Sequence, residues 1–258
     1  MRSPDPLRLV AVLLIVGGAV AWMRSGSGEA SDPACAEADP ACVDGWVTGP
    51  SGADSRTAGE ADGAAATEAP ALAATAFCND VGYLCAGLAE ADSLHLRRWK
   101  GHEGTVVVHV PLPDGLSSGD ARALQRAASQ GVRAWNEQPF PILVDLRGDR
   151  NPDFSIRWGR YAGTRLGLTR TTWSRDTGLV VDFIELGMMH PAGRGQAADP
   201  RQVRLTAAHE MGHALGLPHS DSPRDVMYPT NTATSMSAQD YRSVEVLYDL
   251  PDGTTVRR

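Results

Sequence analysis

The sequence lacks an excess of basic residues. Its 258 residues include 24 lysines and arginines against 31 aspartates and glutamates, which gives a formal net charge of −7. Residues 24–75 contain nine acidic side chains and two arginines, so this segment accounts for the whole imbalance and the rest of the chain is electrically balanced. A nucleic-acid-binding protein needs a basic patch that neutralises phosphates. We therefore expect no nucleic-acid partner.

The chain also lacks an apolar run of the length that a membrane-spanning helix needs, about 20 residues. Its longest uncharged apolar stretch, 9–23, is shorter and follows Arg2 and Arg8. A basic start, a short apolar run and an Ala-x-Ala pattern are typical of an export signal. Residues 1–23 are therefore predicted to be a signal peptide, and the alternative is an uncleaved anchor over 7–23. Both interpretations place the rest of the chain outside the cytoplasm, secreted or periplasmic.

The segment 24–75 has few large apolar side chains. Ala, Gly, Ser, Asp, Glu and Pro dominate it, and Trp46 is its only aromatic residue. Too little apolar area is present to offset the conformational entropy lost on folding. We expect a disordered acidic linker over 24–75 and one folded domain over 76–258. No repeat of fixed period indicates a solenoid or a propeller.

Only four cysteines are present, at positions 35, 42, 78 and 85. They form two pairs of identical spacing, and an even count suits disulfide bonds in an oxidising compartment. We expect pairing within each loop, Cys35 with Cys42 and Cys78 with Cys85, although sequence alone allows three connectivities. The spacing does not resemble a zinc knuckle, whose ligands lie about two to four residues apart.

Beyond Phe77 the apolar residues become periodic. Alternating or β-rich runs predict five strands, over 105–110, 142–146, 153–158, 165–173 and 179–186, the last two forming a hairpin. Three segments that begin with N-cap residues and continue with apolar residues at helical spacing predict helices, over 117–137, 199–217 and 237–250. Strands mixed with helices in this order indicate an α+β domain.

The segment 209–220, HEMGHALGLPHS, places three of the seven histidines within eleven residues. At about 100° per residue, His209 and His213 lie about 40° apart on one helix face, so both imidazoles can bind one ion. Gly216 predicts the end of the helix, after which His219 can turn back toward the pair. Three imidazoles with one open position are typical of a catalytic zinc site, whereas calcium and magnesium prefer oxygen ligands.

Glu210 lies about 60° from His213 on the same side of the predicted helix, where its carboxylate can hold a water without binding the metal. An open zinc site lowers the pKa of its water to roughly 7 and polarises a carbonyl. This pattern predicts a zinc endopeptidase of protein or peptide substrates, with Glu210 as general base and then general acid. The alternative is a non-catalytic module that zinc stabilises and that binds peptides or a cell-surface partner.

The stretch HEMGHALGLPHS resembles the extended zinc motif of the metzincin peptidases. With Ser220 after the third histidine it is most similar to the matrixins, and DVMYP around Met227 resembles their Met-turn. SAQDYRSVEVLY is similar to their last helix. The resemblance implies a metzincin (zincin) fold from about Leu94 to Leu250: a twisted five-stranded mixed sheet, three helices and a zinc cleft.

The resemblance also implies roles for individual residues. His209, His213 and His219 would bind one catalytic Zn²⁺, Glu210 would be the catalytic residue, and Met227 would form a hydrophobic floor beneath the metal. The substrate would pair as an extended strand with an antiparallel edge strand at about 165–169, although these residues would also fit an interior strand. A secreted, extracellular-matrix setting and a monomer are expected, with a membrane contact only through the N-terminal anchor.

Several features depart from the matrixin pattern. Residues 153–186 contain no histidine, so a second, structural zinc and the structural calcium of that loop are not expected. The Pro-x-Tyr element of the main specificity pocket reads Pro-Thr-Asn at 229–231, which changes the pocket wall. The propeptide cysteine of the family's latency motif is absent, and a thiolate from Cys35 or Cys42 is the remaining way to cap the zinc. Ordinary structural roles are expected for the other histidines, His95, His102, His109 and His190.

Overall fold

The computed structural model describes residues 70–100, 104–136, 138–160, 165–193 and 195–258. The predicted signal peptide, the linker up to residue 69 and the pair Cys35 and Cys42 lie outside the described residues. Within the described ranges no helix combines the length and the apolarity needed to cross a membrane.

The first described segment includes residues that the sequence assigned to the linker. Residues 71–75 form strand β1 (Ala71–Ala73) and the start of a short helix, α1 (Ala74–Phe77). A disulfide joins Cys78 and Cys85 with a Cα–Cα distance of 5.9 Å, the local pairing that the spacing predicted. Strand β2 (Ser93–Leu96) follows. Ordered structure therefore begins before residue 76.

A five-stranded mixed sheet follows along the chain. It consists of β3 (Val106–His109), β4 (Ile142–Asp145), β5 (Phe154–Gly159), β6 (Gly167–Ser174) and β7 (Gly178–Gly187). The strand order is β4-β3-β5-β7-β6, and only β6 runs antiparallel to its neighbour. All five predicted strands are present, with bounds that differ by one or two residues. The hairpin strand that sequence left as edge or interior, β6, lies at the edge of this sheet.

Three longer helices complete the predicted set: α2 (Ser118–Val132), α3 (Pro200–Ala214) and α4 (Ala238–Asp249). The apolar residues at helical spacing that predicted α2, Leu124, Ala128 and Val132, are buried. Trp135 just beyond the helix is also buried, and its Nε1 donates to the Ala208 carbonyl of α3 at 2.7 Å. Helix α3 packs against α2 and against β6 and β7. Helix α4 begins with a capping box between Ser237, where the sequence predicted the N-cap, and Asp240. The short α1 is an additional single turn.

A second, three-stranded sheet was not predicted. Strand β8 (Thr254–Arg257) lies between β1, to which it is parallel, and β2, to which it is antiparallel. His95 of β2 and Thr255 of β8 form a side-chain hydrogen bond although 160 residues separate them in sequence. Local sequence patterns do not reveal pairing over such a distance. The pairing of β1 with β8 places an ordered strand within the predicted linker.

Candidate metal centre

Helix α3 ends at the turn that the motif predicts. Gly216 follows the helix with a φ of +96°, a left-handed conformation that glycine adopts without steric cost. The Gly216 N–H donates to the His213 carbonyl at 2.9 Å, and the Leu217 N–H donates to the Gly212 carbonyl at 3.0 Å. These two bonds define a Schellman motif. The turn reverses the chain direction and brings His219 back toward α3.

Side chains from distant parts of the chain satisfy the last carbonyls of α3. Trp99 donates its Nε1 to the Ala214 carbonyl at 2.8 Å, and Tyr248 donates its hydroxyl to the Leu215 carbonyl at 3.0 Å. A Cβ on the glycine of the turn would collide with the Arg97 carbonyl, so the turn also packs tightly against the segment before β3. The position of the turn is therefore fixed from both sides.

The three predicted ligands meet at one point. Nε2 of His213 lies 3.1 Å from Nε2 of His209 and 3.1 Å from Nε2 of His219. One ligand atom from each residue lies within 4.8 Å of the other two. His213 is only 1% exposed, and burial together with the neighbouring His209 and His219 lowers its pKa well below the usual value. His213 is thus kept neutral, the form that binds a metal ion.

Backbone carbonyls orient two of the three rings. Nδ1 of His209 lies 2.8 Å from the Val226 carbonyl, and Nδ1 of His213 lies 2.9 Å from the Leu217 carbonyl. Because a carbonyl oxygen can only accept, each Nδ1 bears the hydrogen and each Nε2 presents its lone pair to the cluster. This is the arrangement in which outer partners set the tautomer of metal-binding histidines. The donor set therefore fits Zn²⁺.

Glu210 directly follows His209 in α3 and is only 3% exposed. Its Oε2 lies 2.7 Å from the hydroxyl of Thr169 in β6, and the same hydroxyl lies 2.8 Å from the Glu210 carbonyl. A Cβ on Gly167 would collide with the Glu210 carboxylate and with Thr206. The edge strand and the predicted catalytic side chain are therefore in direct contact.

Sequence reasoning placed residues 165–169 on the substrate-binding strand but missed Thr169 and Gly167 as contacts of Glu210. Their position depends on how β6 aligns with α3, and Thr169 and Glu210 are 41 residues apart in sequence. The sequence contained one partial indication of this contact: the small residues Gly167 and Thr169 alternate along the predicted strand and so share one face, the face that contacts α3.

The predicted Met-turn approaches α3 from the opposite side. Met227 is fully buried and lies so close to Gly212 that a Cβ there would collide with the Met227 sulfur. The Ser220 N–H donates to the Met227 carbonyl at 2.9 Å, and the Ser220 hydroxyl donates to Asp225. The segment 220–227 is thereby closed into a loop that presents the Val226 carbonyl to His209.

The altered specificity element also contacts α3. Asn231 donates its side-chain amide to the Thr206 hydroxyl at 2.6 Å, one helical turn before Glu210. The segment after the Met-turn is thus joined to the motif helix by a polar contact.

Three of the remaining histidines form ordinary structural contacts away from the cluster. His95 bonds the Thr255 hydroxyl at 3.0 Å, Nδ1 of His109 lies 3.2 Å from the Asp145 carbonyl, and Nδ1 of His190 accepts the Ala192 N–H at 3.1 Å; His102 lies outside the described residues.

Comparison with known proteins agrees with this geometry. The family model described as Matrixin matches residues 133–249. Macrophage metalloelastase of Rattus norvegicus is 47% identical over 53 residues, which cover 18% of this chain and 11% of the relative. The 72 kDa type IV collagenase of Gallus gallus is 44% identical over 52 residues, 19% of this chain and 8% of the relative. Matrilysin of Felis catus is 47% identical over 47 residues, 16% of this chain and 18% of the relative.

The aligned stretches thus span less than a fifth of each of these relatives. The region that matches the family contains β4 to β7, helices α3 and α4, the three clustered histidines and the Met-turn. The sheet order and the histidine cluster agree with the same assignment. Residues 133–249, less than half of the chain, therefore resemble a matrixin domain, the catalytic unit of a family of zinc-dependent peptidases.

Proposed function

We propose that the protein is an exported zinc endopeptidase that hydrolyses protein or peptide substrates. The observation that supports this most directly is the convergence of three imidazole Nε2 atoms, one of them from His209, whose neighbour in sequence is the buried Glu210. The metalloelastase, collagenase and matrilysin relatives are named for proteolytic activity, and the similarity to them supports the same reaction class here.

His209, His213 and His219 would bind one Zn²⁺. Zinc bound by this set would act as a Lewis acid toward a water molecule and toward a substrate carbonyl, which is the chemistry that peptide hydrolysis needs. The chain's own contribution is to keep His213 neutral and to orient two of the rings. Burial lowers the pKa of His213, and the Nδ1 bonds to backbone carbonyls orient the rings of His209 and His213.

Glu210 would be the general base and then the general acid. Its carboxylate would take a proton from the attacking water as the new C–O bond forms, and it would give that proton to the amine nitrogen as the C–N bond breaks. The Thr169 hydroxyl keeps the carboxylate on the side of α3 that faces β6. Burial excludes bulk water from the proton-transfer step.

The unpaired side of β6 would bind the substrate. Within the described ranges β6 pairs only with β7, so its outer N–H and C=O groups are available to an extended peptide. An added strand would place its backbone beside Gly167 and Thr169, next to Glu210. Strand addition supplies main-chain hydrogen bonds that do not depend on the substrate's side chains.

Two features support an extracytoplasmic location. Residues 1–23 have the pattern of an export signal, and the Cys78–Cys85 disulfide suits an oxidising compartment. N-terminal sequencing of the protein from the host's culture medium or periplasm tests this. A mature chain that begins shortly after residue 21 is expected, whereas an intact N-terminus in the membrane fraction would indicate the anchor.

The decisive experiment is a digest of a denatured proteome by the zinc-loaded chain and by Glu210→Gln, read by mass spectrometry. We expect wild-type cleavage that a chelator abolishes, and a loss of about 100-fold to 10,000-fold in rate for Glu210→Gln with its zinc content unchanged. Glu245→Gln, an exposed change on α4, is the matched control and should retain activity. Full zinc occupancy without any cleavage by the wild type would favour the non-catalytic binding module.

A further inference from the structure

A series of hydrogen bonds connects the metal centre to the N-terminal part of the domain. Val226, whose carbonyl lies 2.8 Å from Nδ1 of His209, donates its own N–H to Oδ2 of Asp240 at 3.0 Å. Tyr83 donates its hydroxyl to the other oxygen, Oδ1 of Asp240, at 3.1 Å. Tyr83 is therefore connected to His209 through one carboxylate and the backbone of Val226.

Asp240 depends on these donors because it is completely buried, with 0% of its surface exposed. Its carboxylate also accepts the Ser237 N–H at 2.7 Å as part of the capping box of α4. A buried carboxylate that loses a hydrogen-bond donor becomes considerably less stable, so its remaining contacts readjust. The Tyr83 hydroxyl therefore helps to fix the orientation in which Asp240 holds Val226.

Tyr83 belongs to a loop that the Cys78–Cys85 disulfide closes and that is pressed against α4. The Tyr83 N–H donates to the Ser243 hydroxyl at 3.0 Å. Gly82 has a φ of +62°, and a Cβ there would collide with the same hydroxyl. Burial, and then the adjacent Asp240 carboxylate, raise the pKa of Tyr83 well above its usual value, so the phenol remains a donor.

We propose that Tyr83 is a positioning residue for the zinc ligand His209, and that the disulfide-closed loop 78–85 holds it in place. Loss of the hydroxyl releases one oxygen of Asp240, which lets Val226 shift and with it the acceptor that orients the His209 ring. Zinc binding weakens although all three ligands remain. The proposal rests on the zinc centre of the proposed function, but not on peptide cleavage.

The test compares the full chain with Tyr83→Phe. Zinc affinity is measured by competition with a chromophoric chelator, and ligand geometry by the visible spectrum of the Co²⁺-substituted protein. We expect about tenfold weaker zinc binding, the lower end of the range for outer partners of metal ligands, and an altered cobalt spectrum. The matched control is Tyr241→Phe, because Tyr241 also donates its hydroxyl, in this case to the Ala134 carbonyl at 3.3 Å, and this bond lies outside the series that leads to His209.

A second variant tests the role of the loop. Cys78→Ser with Cys85→Ser removes the disulfide but keeps Tyr83, and we expect zinc affinity to fall in the same direction. Combining these changes with Tyr83→Phe should add little further loss, because both act on the same series of contacts. If Tyr83→Phe does not fold, Ser243→Ala, which removes the acceptor of the Tyr83 N–H, provides the same comparison.

Unchanged zinc affinity and an unchanged cobalt spectrum in Tyr83→Phe would overturn the proposal. An equal loss in Tyr241→Phe would also overturn it, since the effect would then reflect general destabilisation. A wild-type chain that binds no zinc at all would instead contradict the proposed function. Zinc bound normally by wild type and Tyr83→Phe alike would contradict only the role of Tyr83.

Discussion

Helices α2 and α3 both contain 15 residues and both begin at an N-cap side chain, yet their surroundings differ. Helix α2 buries one stripe and leaves residues such as Arg122 and Arg126 exposed. Helix α3 is buried on every side from Leu205 to Ala214, because β6 and β7 cover one side while α2 and the Met-turn approach the other. A polar group on the outer face of α2 has water as its partner, whereas a polar group on α3 must find a partner in the protein.

The second half of α3 meets this requirement with contacts of defined geometry. His209 and His213 donate to backbone carbonyls, and Glu210 accepts from Thr169. Buried polar groups that lose their partners destabilise a protein by several times the net contribution of an ordinary hydrogen bond. We therefore expect substitutions in α3 and its partners to have large effects and substitutions on the outer face of α2 to have small ones.

The largest effect is expected for His213→Ala. Its Nε2 lies 3.1 Å from Nε2 of each of the other two ligands, so its loss leaves only two histidines, too few for a catalytic zinc site. After dialysis, the zinc content measured by mass spectrometry should fall below about a tenth of the stoichiometric value, and cleavage should be lost. His190→Ala, in a loop away from the cluster, should retain its zinc. A stoichiometric zinc content in His213→Ala would show that His213 is not a ligand.

The contact between the two helices provides the next test. A Cβ on Gly131 of α2 would lie 2.7 Å from Cβ of Ala207 and 2.9 Å from the Ala208 nitrogen of α3. Gly131→Ala should therefore lower the free energy of unfolding by about 1–3 kcal/mol, measured by urea denaturation. The control on the same helix is Gly119→Ala, whose Cβ would meet only the Ser117 hydroxyl at 3.7 Å. An increase in the free energy of unfolding of Gly131→Ala would show that α2 and α3 leave room for a Cβ at this position.

Thr169→Val tests the contact between the edge strand β6 and α3. It keeps the shape of the side chain but removes the hydroxyl that contacts Glu210. We expect kcat to fall about tenfold with little change in KM, because the hydroxyl acts through Glu210 and not through the substrate. Thr169→Ser should restore most of the activity. If the serine variant is as impaired as the valine variant, packing of the methyl group and not the hydrogen bond is responsible.

The smallest effect is expected on the outer face of α2. Arg126→Ala removes an exposed side chain, so the free energy of unfolding should change by no more than about 0.5 kcal/mol. Urea denaturation of this variant beside Gly131→Ala measures both faces of one helix. A loss above about 1 kcal/mol would mean that this face is packed against another part of the protein.

The parts of the site that depend on local geometry could be predicted from the sequence. The His209–His213 pair follows from the helical period, and Gly216 marks the helix end because a left-handed residue is a local requirement. The five strands of the mixed sheet follow from alternating or continuous apolar runs.

The parts that depend on packing between distant segments could not be predicted. Thr169 contacts Glu210 across 41 residues, and Tyr83 contacts Asp240 across 157 residues. The β1–β8–β2 sheet also depends on pairing between distant segments. Composition alone does not reveal this pairing, so residues 71–75 were included in the predicted linker. Periodicity identifies which face of an element is buried, but it does not identify the partner that covers it.

Because of the turn after α3, the two histidines of the helix differ in how far along the chain their hydrogen-bond acceptors lie. His213 obtains its acceptor from Leu217, four residues further along the same segment, whereas His209 obtains its acceptor from Val226, beyond the third ligand. Residues 209–219 grafted onto the end of another helix would bring one imidazole already fixed in its tautomer and one that needs a new neighbour. A transplanted zinc site would therefore have to reproduce the Val226 carbonyl before it could match the affinity of the original.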